Sequence, residues 1–119
     1  MNILKKLFGG QKTTEEVRET KEKGFDMVKY DGVRALRMQQ FDLAAKFLEH
    51  ALQLNAEDLE CRDYLSRAYI SMGNLQQAYA QLQKISEAQP DNVAVLLRMA
   101  DVAYMMEDYI AMTDVCDKA

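Results

Sequence analysis

Shifted against itself by 34 residues, the chain lays like residues over like. A fixed period in the 20 to 50 range is the mark of a solenoid, in which one supersecondary unit stacks on the next. Met38, Met72 and Met106 coincide, as do Phe41, Leu75 and Tyr109. So do Ala44, Ala78 and Met112, then Leu48, Leu82 and Cys116, then Ala51, Ile85 and Ala119. All five columns are apolar in every row. Within a row the apolar residues recur at i, i+3, i+4 and i+7, as in Phe41, Ala44, Ala45, Leu48, Ala51 and Leu52. That spacing places them on one face of a helix, and no strand pattern has comparable support.

A unit of 34 residues is too long for one ordinary helix, and each holds one interior break: Gln39-Gln40, Gly73-Asn74 and Glu107-Asp108. Two helices per unit follow, and with one proline and five glycines in 119 residues there is little else to interrupt them. Gly73 takes positive φ without steric penalty and suits a tight reversal, while the other two turns must manage without glycine. Pro90 closes the second unit, and Asp91 or Asn92 can cap the next helix. The expected helices lie near 25–38, 41–54, 58–72, 75–88, 92–106 and 109–118, in units 25–58, 59–92 and 93–119.

Over residues 25–119 this pattern resembles the tetratricopeptide repeat family. The match is most specific in the second unit, where Leu65-Ser66, Tyr69, Gly73-Asn74-Leu75, Ala78, Leu82 and Pro90 stand at the family's spacing of large, small, aromatic, turn, alanine, bulky and proline positions. The first unit conforms at Gly32, Phe41, Ala44, Ala51 and Leu52 but has Asp31 in the leucine column and Ala56 in the proline column. The third conforms at Leu96, Met99, Ala100, Ala103, Tyr109 and Ala119, yet Met112 fills the column where alanine permits close approach. The resemblance implies an all-α, right-handed superhelical solenoid of antiparallel helix pairs.

Ahead of the repeats, residues 1–12 hold three lysines and no acid and read as a flexible basic leader. Ile3, Leu4, Leu7 and Phe8 could touch a lipid surface beside Lys5, Lys6 and Lys12, a marginal anchor at this length. Thr13-Thr14-Glu15-Glu16 fits a capping box, so residues 13–24 read as a charged capping helix or an extension of the first repeat helix. At the other end the third unit is cut short at Ala119, and no polar terminal helix covers its apolar side. The expectation is either an amino-terminal fragment of a longer repeat protein or self-association through that open face, near Met105, Met106, Val115 and Cys116, giving a homo-oligomer.

The net charge of −4 argues against nucleic acid as partner. Charge is unevenly spread: residues 1–24 carry six basic and four acidic side chains, and the remainder nine and fifteen. Cys61 and Cys116 form no disulfide framework, no apolar run approaches the roughly 20 residues of a bilayer span, and the amino terminus lacks a signal peptide's continuous apolar stretch. A cytoplasmic protein is expected. Chemistry is harder to find. His50 is the single histidine, and no Cys-x-x-Cys or His-x-x-x-His spacing exists, so neither a metal site nor a thiol beside its base is expected. Gly9-Gly10-Gln11-Lys12-Thr13 lacks the spacing of a phosphate loop, and no acidic run has calcium-loop spacing. No cofactor and no enzymatic activity are expected.

What remains is a surface for a protein or peptide partner. The family register implies a concave wall lined by the first helix of each unit. It would present Asp26, Lys29, Tyr30, Val33 and Arg37, then Glu60, Asp63, Tyr64, Arg67 and Ser71, then Leu97, Arg98, Asp101, Tyr104 and Met105. Tyrosine offers large contact area at low entropic cost, and arginine grips carboxylates bidentately. The residues singled out for partner binding are Lys29, Tyr30, Arg37, Tyr64, Arg67, Arg98, Asp101 and Tyr104. One branch of the family clamps the carboxyl terminus of heat-shock chaperones with lysine, asparagine and arginine at five columns. Here Lys29 and Arg98 match, but Val33, Tyr64 and Ala94 fill the rest, so that ligand is not expected.

Overall fold

A computed structural model describes the backbone of residues 14–118 and the side-chain surroundings of residues 22–107. The leader over 1–12, its lipid-facing reading and the capping threonine Thr13 lie outside the described residues. Five helices follow one another: α1 (Thr14–Arg37), α2 (Phe41–Leu54), α3 (Leu59–Met72), α4 (Leu75–Ala88) and α5 (Val93–Lys118). Each packs on the next, and α1 also touches α3, so the chain is an all-α solenoid of stacked helical hairpins with no strand among the described residues.

The repeat columns become the core. Ala44, Leu48 and Ala51 on α2, Cys61, Leu65, Ala68 and Tyr69 on α3, and Ala78 on α4 form one buried cluster with Phe25 and Ala35 of α1. A second cluster joins α4 to α5 through Leu82, Ile85, Val95 and Val102. The small columns set the spacing between helices. At Gly32 a built Cβ would stand 2.8 Å from Leu48 Cγ and Cδ2, so α1 and α2 meet where only hydrogen fits.

Both hairpin turns use the same closure. After α3, Gly73 takes φ 80°, Gly73 N–H donates to Ile70 O at 3.0 Å and Asn74 N–H to Tyr69 O at 2.8 Å. After α1, Gln39 takes φ 61°, with Gln39 N–H on Leu36 O at 3.0 Å and Gln40 N–H on Ala35 O at 2.9 Å. The first turn thus manages without glycine by holding a glutamine in the left-handed region, a conformation that costs an L-residue about 1–2 kcal/mol. Of the two capping residues suggested for α5, Asn92 does the work: its Oδ1 accepts from Val95 N–H at 3.3 Å. Asp58 caps α3 in the same way, its Oδ2 accepting from Cys61 N–H at 2.9 Å.

One of the open alternatives is decided and one expectation about element boundaries changes. α1 runs through Gly24 without a break, so residues 14–24 extend the first repeat helix and are not a separate cap. The third reversal, expected at Glu107-Asp108 between helices 92–106 and 109–118, is not made: α5 is one helix from Val93 to Lys118. Glu107 occupies the column of Gln39 and Gly73. Gln39 shows that a residue other than glycine can take this turn at a local cost of about 1–2 kcal/mol, and at Glu107 that turn is not made. Met106, expected near the open face, instead packs half-buried against the second cluster.

Candidate functional site

The inner faces of α1, α3 and α5 form a series of shallow hollows. The first, about 280 Å³, lies between α1 and α3 and is lined by Asp26, Lys29, Tyr30, Val33, Arg37, Glu60 and Tyr64, with Arg34 in addition. A second of about 350 Å³ is bounded by Glu60, Asp63, Arg67 and Arg98 together with Leu59, Ile85, Gln89, Asn92, Ala94 and Val95. A third of about 420 Å³ gathers Arg67, Ser71, Arg98, Asp101 and Met105 with Ile70 and Val102. The structure therefore brings together thirteen of the fifteen residues expected on this wall. Leu97 and Tyr104 line none of these hollows; they stand exposed on α5, Tyr104 at 66%.

The charges of this surface are largely matched inside the molecule. Lys29 Nζ lies 2.9 Å from Asp58 Oδ2 and 2.8 Å from Glu60 Oε1, tying α1 to α3. Burial disfavours the ammonium, but the two carboxylates outweigh it and hold the Lys29 pKa above its ordinary value. Asp63 receives two guanidinium groups, Arg67 at 3.0 Å one turn along α3 and Arg98 from α5. Arg98 is thus the ionic tie between the second and third units. Three of the four cations expected to meet a ligand therefore already hold carboxylates, and Arg37 is the exposed one outside these pairs.

Aromatic rings sit under three of the cations, each of which also has a carboxylate within 4 Å, Asp31 in the case of Arg34. Arg34 Cζ lies 5.8 Å from the Tyr30 ring centre, Arg67 Cζ 5.6 Å from that of Tyr64, and Lys29 Nζ 5.6 Å from that of Phe25. Tyrosine with a cation over its face makes a flat, amphipathic platform. Sequence reasoning missed Asp58 and Arg34. Asp58 carried a legible signal as an N-cap residue ahead of an apolar-periodic run, and Arg34 stands one helical turn beyond Tyr30.

Elsewhere the polar groups are structural. Tyr69 Oη donates to Glu49 Oε1 across α3 and α2, and burial first, the carboxylate second, raise the phenol above its ordinary range. Burial pushes the Cys61 thiol up to about 11 while its Sγ donates to Leu48 O at 3.4 Å. His50 is exposed, and the side chain of Cys116 lies outside the described residues. Among the described residues no three His, Cys, Asp or Glu side chains cluster as metal ligands, and no helix is long and apolar enough to cross a membrane.

Stacked antiparallel helix pairs with a small residue at each close approach and a periodic core define a helical-repeat protein. The tetratricopeptide repeat family model matches residues 35–96, from the end of α1 into α5, and the chain belongs to that family. Such repeats generally mediate protein–protein interaction and are typically non-catalytic. A search of curated proteins finds no match.

Proposed function

We propose that this chain is a cytoplasmic, non-catalytic scaffold that binds an extended or helical segment of a partner protein along the wall formed by α1, α3 and α5. The observation that carries the reading is the α1–α3 hollow. There Tyr30, 64% exposed, and the half-buried Tyr64 flank Arg37 and Arg34, so apolar contact area and hydrogen-bonding donors face the same opening. Lys29, Arg67 and Arg98 have a different part in this reading: paired with Asp58, Glu60 and Asp63, they hold the wall in shape. Ligand selectivity then falls to Tyr30, Arg37, Tyr64, Asp101 and Tyr104. The test is selection of linear peptides from a random display library on the folded protein. Tyr30→Ala with Arg37→Glu should lose the selected peptides at least tenfold while the melting temperature stays unchanged. Equal binding by that variant would reject the assignment.

A second reading, self-assembly, is favoured by the side of α5 that is left open among the described residues: Val93 is 64% exposed, Leu96 45% and Leu97 62%. Exposed apolar residues grouped along one helix mark association surfaces.

A further inference from the structure

The second and third units differ in what covers their first helix. On α3, Ser66 and Tyr69 are 0% and 6% exposed, and Tyr69 shares a buried cluster with Ala78 of α4. Their counterparts 34 residues on, Ala100 and Ala103, lie exposed and half-buried on α5, beside exposed Leu96. The neighbouring strip of α5 is used, since Val95 and Val102 are buried against Leu82 and Ile85 of α4. The open strip is therefore the one onto which a following helix would fold. The sequence supplies that helix: Tyr109, Met112 and Cys116 hold the columns of Leu75, Ala78 and Leu82. It is not folded back at Glu107-Asp108, because α5 is one continuous helix from Val93 to Lys118.

We propose that residues 109–118 of a second copy cover the open strip, so that two chains exchange these segments and associate through an antiparallel pair of α5 helices. The proposal rests on the self-assembly reading and names its partner and register. A hairpin closed at Glu107-Asp108 would set residue 103 against 112 and residue 100 against 115, just as Tyr69 and Ala78 share one buried cluster. Two straight antiparallel helices crossing at 107–108 set the same residues against each other between chains, and do so twice. Exchange thus preserves the packing of the closed hairpin and removes only its turn. That turn carries a local cost here, since Glu107, like Gln39 at φ 61°, lacks the freedom with which Gly73 takes φ 80°. By helical periodicity Arg98 and Asp101 lie on the side of α5 away from the strip, so the dimer would present two walls at once.

Three measurements on the full chain test this. Light scattering from micromolar to millimolar protein should give twice the 13.7 kDa chain mass; a monomer throughout overturns both self-assembly and exchange. Cys116→Ser with Ala103→Cys and Met112→Cys, treated with a short bis-maleimide, should yield a covalent dimer on a denaturing gel. Crosslinking within one chain overturns the exchange, and a dimer in solution that yields no such crosslink overturns the exchange while leaving self-assembly standing. Glu107→Gly with Asp108→Asn, which copies the Gly73-Asn74 turn, should convert the dimer to a monomer of unchanged helix content. Persistence of the dimer in that variant overturns the proposal.

Discussion

Replacing a glycine by alanine inside α1 should have opposite signs at two positions eight residues apart. In a helix interior alanine is favoured over glycine by about 1 kcal/mol, because glycine loses more backbone freedom on folding. At Gly24 the new methyl meets only Leu54 Cδ1 at 4.0 Å, an ordinary contact, so Gly24→Ala should realise most of that gain. At Gly32 the methyl would stand 2.8 Å from both Cγ and Cδ2 of Leu48 and 3.2 Å from Phe47 Cβ. Carbon pairs prefer about 3.5–4.0 Å. Turning Leu48 about Cβ–Cγ leaves Cγ where it is, and turning it about Cα–Cβ would drive a fully buried side chain into its packed neighbours, so relief falls to an outward shift of α1 by most of an ångström. Overpacking of this kind costs about 1–3 kcal/mol and weakens the α1–α2 hairpin. After the helix-propensity gain of about 1 kcal/mol, Gly32→Ala should be destabilised by up to about 2 kcal/mol. Urea unfolding followed by circular dichroism measures both variants in one experiment. At an unchanged slope, the midpoint should rise for Gly24→Ala and fall for Gly32→Ala. The sites are about 12 Å apart along the helix, so the double variant should show the sum. A Gly32→Ala protein as stable as Gly24→Ala would refute the claim that this column sets the distance between helices.

Other perturbations probe the turns and ties. Gln39→Gly should stabilise the fold by about 0.5–1 kcal/mol, since glycine adopts φ 61° without strain at the price of a more flexible unfolded chain; thermal melting reads it. Asp58→Ala removes both the cap on Cys61 N–H and one partner of Lys29, and a loss of about 1–2 kcal/mol is expected in denaturant unfolding, with Asp58→Asn recovering the capping part. The Cys61 thiol, raised from 9.0 to about 11 by burial, is held neutral in the folded state. Its contribution to stability is complete below the unfolded value and is lost as pH rises from 9 through 11, so the fall in melting temperature over that window should shrink in Cys61→Ala. In folded protein at pH 8, alkylation of Cys61 should proceed only through opening of the structure, as mass spectrometry of the labelled peptide would show.

Most of the architecture was legible because a solenoid repeats its physics. The apolar columns at Leu48 and Leu82, and the small ones at Ala44 and Ala78, mark the same contact twice. Gly73 announced its turn, since it bears no side chain to penalise positive φ. At Gln39 the period gave the place of the turn but not its left-handed conformation, which carries no local signature in a glutamine. The wall was partly legible in the same way: thirteen of its expected residues line the hollows because helical periodicity fixes which side they occupy. That Asp58 would neutralise Lys29 and that Asp63 would also hold Arg98 was not, since those pairs join residues 29 and 35 positions apart, on different helices.

The sequence by itself determined the helical class, the period, the columns that become core and the faces that remain outside, all of them consequences of short-range spacing. Tertiary structure decided which cations stay available at the wall, and it decided that the third unit runs on as a single straight α5. Those outcomes turn on distances between separate helices and on whether packing gained across a gap outweighs the strain of a left-handed turn, quantities that no local pattern in the chain encodes.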